Sequence, residues 1–357
     1  MRHHRWIRVL ALFLPLALLA AACGDDDDPA VSDGSASEEE AGSTTDLSLG
    51  IAFDVGGRGD QSFNDAAVRG LEQAIEEFGL EAAEELEPEG GGENRADLLR
   101  LLAENNTELI LAIGFAFEES VGSIAPEFTE STFAIVDAAV DQPNVASLLF
   151  KEEEGSFLVG AAAALTSTTG KLGFIGGVEV PLIQKFAAGF QAGAEHVNPD
   201  VTVDIKYITQ PPDFSGFNDP AKGKEIATGQ YAAGADVIYA AAGGSGGGVF
   251  EAASETSTDA LKHWAIGVDS DQYNLVDDAL KPFILTSMLK KVDVAVFDTI
   301  ERAQNGEEVG GAITTYDLEA GGVDYATSGG FIDDIADQLE DIKASIIAGD
   351  ITVPKTP

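Results

Sequence analysis

The chain has 357 residues, of which 45% are hydrophobic and 40 are glycine, and it carries 62 Asp and Glu against 20 Lys and Arg, with 4 His and one Cys. That apolar fraction and length exclude a disordered chain and allow two domains with separate cores, while the single Cys excludes an intramolecular disulfide framework and a Cys-based zinc site. A net charge of -42 excludes nucleic acid as a partner gripped through its phosphates, because an acidic surface displaces no counterions.

In chain order, residues 1–22 come first. Arg2, Arg5 and Arg8 precede an apolar run from Val9 to Leu19, which ends in Ala20, Ala21, Ala22 and then Cys23. This is the order of a secretory signal, and the run is too short to span a bilayer. Small residues ending at Cys23 resemble the lipobox of bacterial lipoproteins, although Ala20 stands where that pattern more often has Leu. The resemblance implies lipidation of Cys23 and a membrane anchor; a secreted, unlipidated form is the alternative. Residues 24–46 are Asp, Glu, Ser, Gly, Ala and Thr with almost no large apolar side chain, so 23–46 reads as an anchored acidic tether of about 25–30 Å root-mean-square reach.

From residue 47 onward, short runs rich in Val, Ile and Phe alternate with amphipathic stretches, the pattern of a parallel sheet covered by helices. Strands are expected at 47–53, 109–113, 133–137, 145–150, 171–175, 201–208, 237–241, 264–268 and 283–287. Helices are expected at 62–78, 96–105, 155–166, 181–197, 220–233, 249–255, 292–305 and 331–348. That is too many strands for one ordinary open sheet. The fold class is therefore α/β with two doubly wound lobes, in which ligands sit at the carboxyl ends of the strands.

Polar residues and glycines gather at those ends. The run DVGGRGDQSFN at 54–64 follows the first strand, where glycines allow a tight turn and Ser62 or Asp60 is placed to cap the next helix. Two readings of Phe63 stand open: a core residue of the helix, or an aromatic platform in a cleft. Arg58-Gly59-Asp60 also spells a cell-adhesion tripeptide. Further strands end at Gly114-Phe115, Asp137, Gly176-Gly177, the glycine-rich run 243–248 and Asp269-Ser270-Asp271-Gln272. No window of 243–248 reads G-x-G-x-x-G, so no nicotinamide site is implied, though glycines opening a helix offer backbone N–H groups to ligand oxygens. Asp269 suits either a helix cap or a bridge to two vicinal hydroxyls. Beyond the leader only His196 and His263 remain, so histidine catalysis, metal binding and any cofactor are unsupported and the protein is expected not to be an enzyme.

These motifs together resemble the basic membrane protein family of lipoproteins, the purine-nucleoside-binding subunits of ATP-binding-cassette importers. The likeness rests on 54–64, on FKEEEG at 150–155, GFIGG at 173–177, NDPAKGK at 218–224, AGGSG at 242–246, IGVDSDQ at 266–272 and TSMLK at 286–290. It implies a type I periplasmic-binding fold with three interlobe crossovers, a first lobe of 47–150 plus about 270–305, and a second of 151–269 plus about 306–357. It also implies that Phe63 and Phe217 sandwich a purine, with Asp54, Asn64 and Asp137 around the base. Asp269 would hold the ribose hydroxyls, Lys290 would add a donor, and Gly243 and Gly244 would admit backbone. Phe214 competes with Phe217 for the second ring, and Lys291 with Lys290 for the cation. The implied partners are a purine nucleoside, the permease and ATPase subunits and, through the lipid, the outer face of the cell membrane. Competing expectations are a sugar, autoinducer or other small polar metabolite in the same fold, a nucleoside hydrolase or phosphorylase, and an adhesin displaying 58–60.

Overall fold

The computed structural model describes residues 47–357, so the leader, Cys23 and the acidic tether lie outside the described residues. The first lobe runs β1 (Leu49–Ala52), α1 (Phe63–Phe78), β2 (Glu84–Leu86), α2 (Arg95–Glu104), β3 (Leu109–Ala112), α3 (Glu118–Ile124), β4 (Thr132–Val136) and β5 (Val145–Phe150). The chain crosses over into α4 (Glu152–Thr166), β6 (Lys171–Val178), α5 (Pro181–Val197), β7 (Thr202–Thr209), α6 (Pro220–Ala232), β8 (Val237–Ala241), α7 (Gly246–Thr256), β9 (Trp264–Asp269) and β10 (Ile284–Lys290). It returns to the first lobe for α8 (Val292–Gln304) and β11 (Ile313–Tyr316), then crosses a third time to β12 (Val323–Tyr325) and α9 (Ala336–Ile347).

Each lobe is built on a six-stranded sheet, ordered β11-β5-β4-β3-β1-β2 in the first and β12-β10-β9-β8-β6-β7 in the second. All pairings are parallel except β10 with β12. The central strands are covered by helices on both faces, which is why β1, β3 and β8 are continuous apolar runs rather than alternating ones. In both sheets the strand order reverses beside the first strand of the lobe, between β1 and β3 and between β6 and β8. A crevice opens at that reversal, outside the carboxyl ends of the strands.

Helix packing in the second lobe depends on glycine. A Cβ on Gly160 would fall 2.1 Å from the Phe190 carbonyl oxygen, and one on Gly193 only 1.9 Å from that of Phe157, so α4 and α5 touch backbone to backbone. This contact buries almost all of α4, which is apolar on every side after its first turn. Glu152, Glu153 and Glu154 open α4 and suit its positive end, extending the helix three residues ahead of the expected start.

The lobe boundaries differ from the expectation in the last third of the chain. β10 pairs with β9 and so belongs to the second sheet, although 270–305 was assigned to the first lobe. The helix of that segment, α8, packs on the first lobe, against α1, where a Cβ on Gly70 would meet the Asp293 carbonyl oxygen at 2.2 Å. β11 pairs with β5 in the first sheet, although 306–357 was assigned wholly to the second lobe. The crossovers therefore follow Phe150, Lys290 and Tyr316. β2, β11, β12 and α3 were not expected. β2 is exposed and acidic, β11 and β12 have four and three residues, and α3 is a seven-residue helix interrupted by Gly122, so none carries a readable period.

Candidate functional site: the interlobe cleft

The cleft between the lobes encloses about 530 Å³ of space, mouth included. Its walls hold Asp54, Phe63, Asn64, Asp137, Phe217, Gly243, Asp269 and Lys290, eight of the nine residues expected in the site. Gly244 is the exception. It stands behind the wall, where a Cβ would lie 3.5 Å from Asn218 Oδ1 and 3.7 Å from Asp60 Cβ.

The first lobe contributes the loop after β1. Asp60 caps α1, accepting the backbone N–H groups of Ser62, Asn64 and Asp65 and one side-chain N–H of Asn64. Burial pushes its carboxyl up to about 6, against the lowering effect of those N–H donors. The adhesion reading fails on the same residue: Asp60 is turned inward and buried, while Arg58 is committed to Glu72 and Glu85. With Asp60 as the cap, the Ser62 hydroxyl is free to reach across the cleft and donate to Asp269 Oδ2 at 2.6 Å. Phe63 follows as the first residue of α1, half-buried, its ring on the cavity. Asn64 is largely consumed by the protein, since its Oδ1 accepts the Asp54 N–H and one N–H goes to Asp60.

Asp54 is buried against Arg95, whose Nη2 donates to Oδ1 at 2.7 Å. Burial raises the Asp54 carboxyl and the Arg95 guanidinium opposes the rise. The carboxylate also lies where a side chain on Gly114 would be, with Oδ2 2.5 Å from the Cβ position, so the left-handed glycine there makes room for it.

Asp137 follows β4 and Asp269 ends β9, in opposite lobes, and each has a left-handed backbone, φ 72° and 63°. Lys290, at the end of β10, donates to Asp137 Oδ2 at 2.6 Å and lies 3.2 Å from Glu152 Oε1. Burial alone would lower the Lys290 pKa, but Asp137, Glu152 and Asp269 outweigh it, so the ammonium is held above its ordinary value. Lys290 thus faces three carboxylates, of which Glu152 also pairs with Lys185 at 3.3 Å. Burial, with repulsion from Glu152 and Asp269, pushes Asp137 up to about 7 despite Lys290, and burial raises Asp269 as well. Among the described residues Asp137 Oδ1 has no hydrogen-bond donor, although it is buried.

Both open pairs of alternatives are separated by geometry. Phe217 lines the cleft, its ring resting where a Cβ on Gly177 would come within 2.4 Å, whereas Phe214 lies with its ring 5.4 Å from the Arg95 guanidinium carbon. Lys290 lines the cleft and Lys291 does not. Residues 246–248 do not line the cleft, and Gly248 serves packing, since a Cβ there would strike the Pro220 carbonyl oxygen at 1.8 Å. Asp60, Phe115, Leu182, Ile183 and Phe186 also line the cavity and were not expected there. Only the polar signature at the strand end marked Phe115; the α5 residues belong to an ordinary amphipathic helix.

Two lobes that enclose a cleft walled by aromatic rings and acids define a solute-binding protein of the type I periplasmic-binding fold. The family model for Bmp, the ABC transporter substrate-binding protein PnrA-like family, matches residues 48–357, and the chain belongs to this family. It is 36% identical over 321 residues to the ABC transporter nucleoside-binding protein BmpA of Lactococcus lactis, covering 87% of this chain and 90% of that one. It is 32% identical over 302 residues to basic membrane protein A1 of Borrelia garinii, covering 83% and 85%. An ABC transporter solute-binding protein from Aeropyrum pernix superposes with a TM-score of 0.74 at 28% identity, over 86% of this chain and 94% of that one. The protein is accordingly an ABC transporter substrate-binding protein, a class that acts outside the cytoplasm. Among the described residues no helix is long and apolar enough to cross a membrane.

Proposed function

We propose that the cleft binds a purine nucleoside and delivers it to an ABC importer from a lipid anchor on Cys23. The observation that carries this reading is the shared cavity itself: Phe63 from the first lobe and Phe217 from the second face one space with Asp54, Asp60, Asp137, Asp269 and a single cation, Lys290. Two aromatic faces suit a flat heterocycle, each stack contributing about 1–3 kcal/mol with little regard to which base is present. The acids accept hydrogen bonds, so the ligand must donate them, as ring N–H and sugar O–H groups do. Asp137 Oδ1, buried without a donor among the described residues, is placed for a base N–H. Asp269 keeps one oxygen beyond its bond to Ser62 and is placed for ribose hydroxyls.

Phosphates would meet four carboxylates, so nucleosides are preferred over nucleotides. A free base leaves Asp269 short of its partners, and an unpaired buried acceptor costs about 1–3 kcal/mol or more. The nucleoside-binding relative in Lactococcus lactis supports the same reading. Because the contacts come from both lobes, ligand favours the closed state by the difference in its affinity for closed and open forms, and the permease reads that closure. Mass spectrometry of small molecules carried by the purified protein tests the assignment. An intact purine nucleoside is expected; a sugar or amino acid as the sole cargo contradicts it, and release of free base from added nucleoside contradicts a purely binding role. For the anchor, metabolic labelling with a fatty acid is expected to mark the wild type and not Cys23→Ser.

A further inference from the structure

Arg95 sits outside the cavity wall, yet it touches both lobes. It is the first residue of α2, its side chain only 8% exposed, and it donates to Asp54 Oδ1 at 2.7 Å and to the Gly92 carbonyl oxygen at 3.0 Å. A side chain at Gly92 would overlap the guanidinium, since the Cβ position lies 2.3 Å from Arg95 Cζ, so the loop before α2 is shaped around this group. The plane of the guanidinium is bounded by two rings. Phe117 of the first lobe has its centroid 5.6 Å from Cζ, and Phe214 of the second lobe 5.4 Å. Phe214 in turn meets Phe115 edge to face at 5.9 Å, and Phe115 meets the cleft residue Phe217 at 6.3 Å. Arg95 Nε is buried without a hydrogen-bond partner among the described residues, which matches a group held by ring faces as much as by acceptors.

We propose that Arg95 is a positioning residue and closed-state latch: it holds the cleft carboxylate Asp54 in place, and the Phe214 ring covers it only when the lobes are shut. This rests on the nucleoside reading of the cleft and adds its regulation. A cation under an aromatic face is worth more as water is excluded, so closing the lobes strengthens the Arg95–Phe214 contact. The pair thereby adds to the closed state an interaction that involves no ligand atom. Any loss of it raises the fraction of open protein, and the apparent affinity falls by that fraction.

The test is a double-mutant cycle read by calorimetry with inosine, together with small-angle scattering of the ligand-free protein. Phe214→Leu is expected to weaken inosine binding about three- to tenfold and to enlarge the ligand-free particle. Phe214→Tyr, which keeps the ring, is expected to bind as the wild type does. Arg95→Met is expected to lose at least about tenfold, and Phe214→Leu placed on top of it to cost little more. Wild-type affinity in Phe214→Leu, or losses from the two sites that simply add, overturns the latch. Should Arg95→Met fail to fold, the Phe214→Leu and Phe214→Tyr pair decides the matter alone. If the wild type binds no inosine, the nucleoside reading fails instead. Scattering then judges the latch separately, with an unchanged Phe214→Leu particle refuting it.

Discussion

Asp137 and Asp269 pay a backbone cost for their places: both are non-glycine residues in the left-handed region, where short polar side chains are tolerated best. The same two residues are the acids of opposite lobes that face one space. Exchanging Asp269 for Ala is expected to weaken nucleoside binding more than tenfold, because it removes the acceptor of the Ser62 hydroxyl together with the acceptor proposed for the sugar. Phe63→Ala is expected to do the same by losing one stack, with thermal unfolding nearly unchanged since its ring is only half-buried. Wild-type affinity in both variants by calorimetry would mean that the cleft residues have been given the wrong roles. Asp137 adds a pH dependence. Its carboxyl is raised to about 7, and a ligand N–H donated to Oδ1 requires the ionised form, so affinity should fall as pH drops below about 7, by up to about tenfold per unit. A nucleoside affinity that is flat between about pH 5 and pH 8 would remove that bond from the account. At this scale the sequence showed the residues that stand in strand-end motifs. It did not show Arg95 or Glu152 as partners of Asp54 and Lys290, because the partners are far apart in the chain and charged residues at helix starts are common.

Among the elements, β6 has a special part. Gly177 lies near its end, and the Phe217 ring occupies the space its side chain would fill. Gly177→Ala should push that ring into the cavity and weaken nucleoside binding at least about tenfold, while the fold loses only the usual cost of overpacking, about 1–3 kcal/mol. Equal affinity with a large fall in melting temperature would show that Gly177 serves the sheet and not the site. The central strands and long helices were legible because burial on both faces, or a steady apolar stripe, leaves a periodic mark. β10 was legible as a strand and not as a member of the second lobe: its partners β9 and β12 are set by how the chain returns, and a local period contains no such information. The edge strand β2, exposed and acidic, left no mark at all.

For the whole molecule, the raised carboxyls predict how stability varies with pH. Asp60 at about 6 and Asp137 at about 7 in the fold lie above the ordinary 3.8, so each contributes stability that is full below the ordinary value and lost as pH rises through the folded one. His263 acts in the opposite sense. Burial lowers its pKa from 6.5, which penalises the fold as pH falls below that value. Between about pH 8 and pH 7.5 the unfolded His263 is still largely neutral and the carboxyls dominate, so the ligand-free melting temperature should rise on acidification across that window. A fall over the same window would mean that the cleft acids are not held as described. The two-lobed architecture and the family were readable from ordered motifs spread along the chain, whereas the closure contacts between Ser62 and Asp269 or Arg95 and Phe214 exist only once the lobes meet.

The most direct test of nucleoside capture between two closing lobes is calorimetry of the purified protein with inosine, guanosine and adenosine beside ribose and inosine monophosphate. The structure leads us to expect at least one nucleoside to bind far more tightly than ribose or the nucleotide. Tighter binding of ribose than of every nucleoside would contradict it.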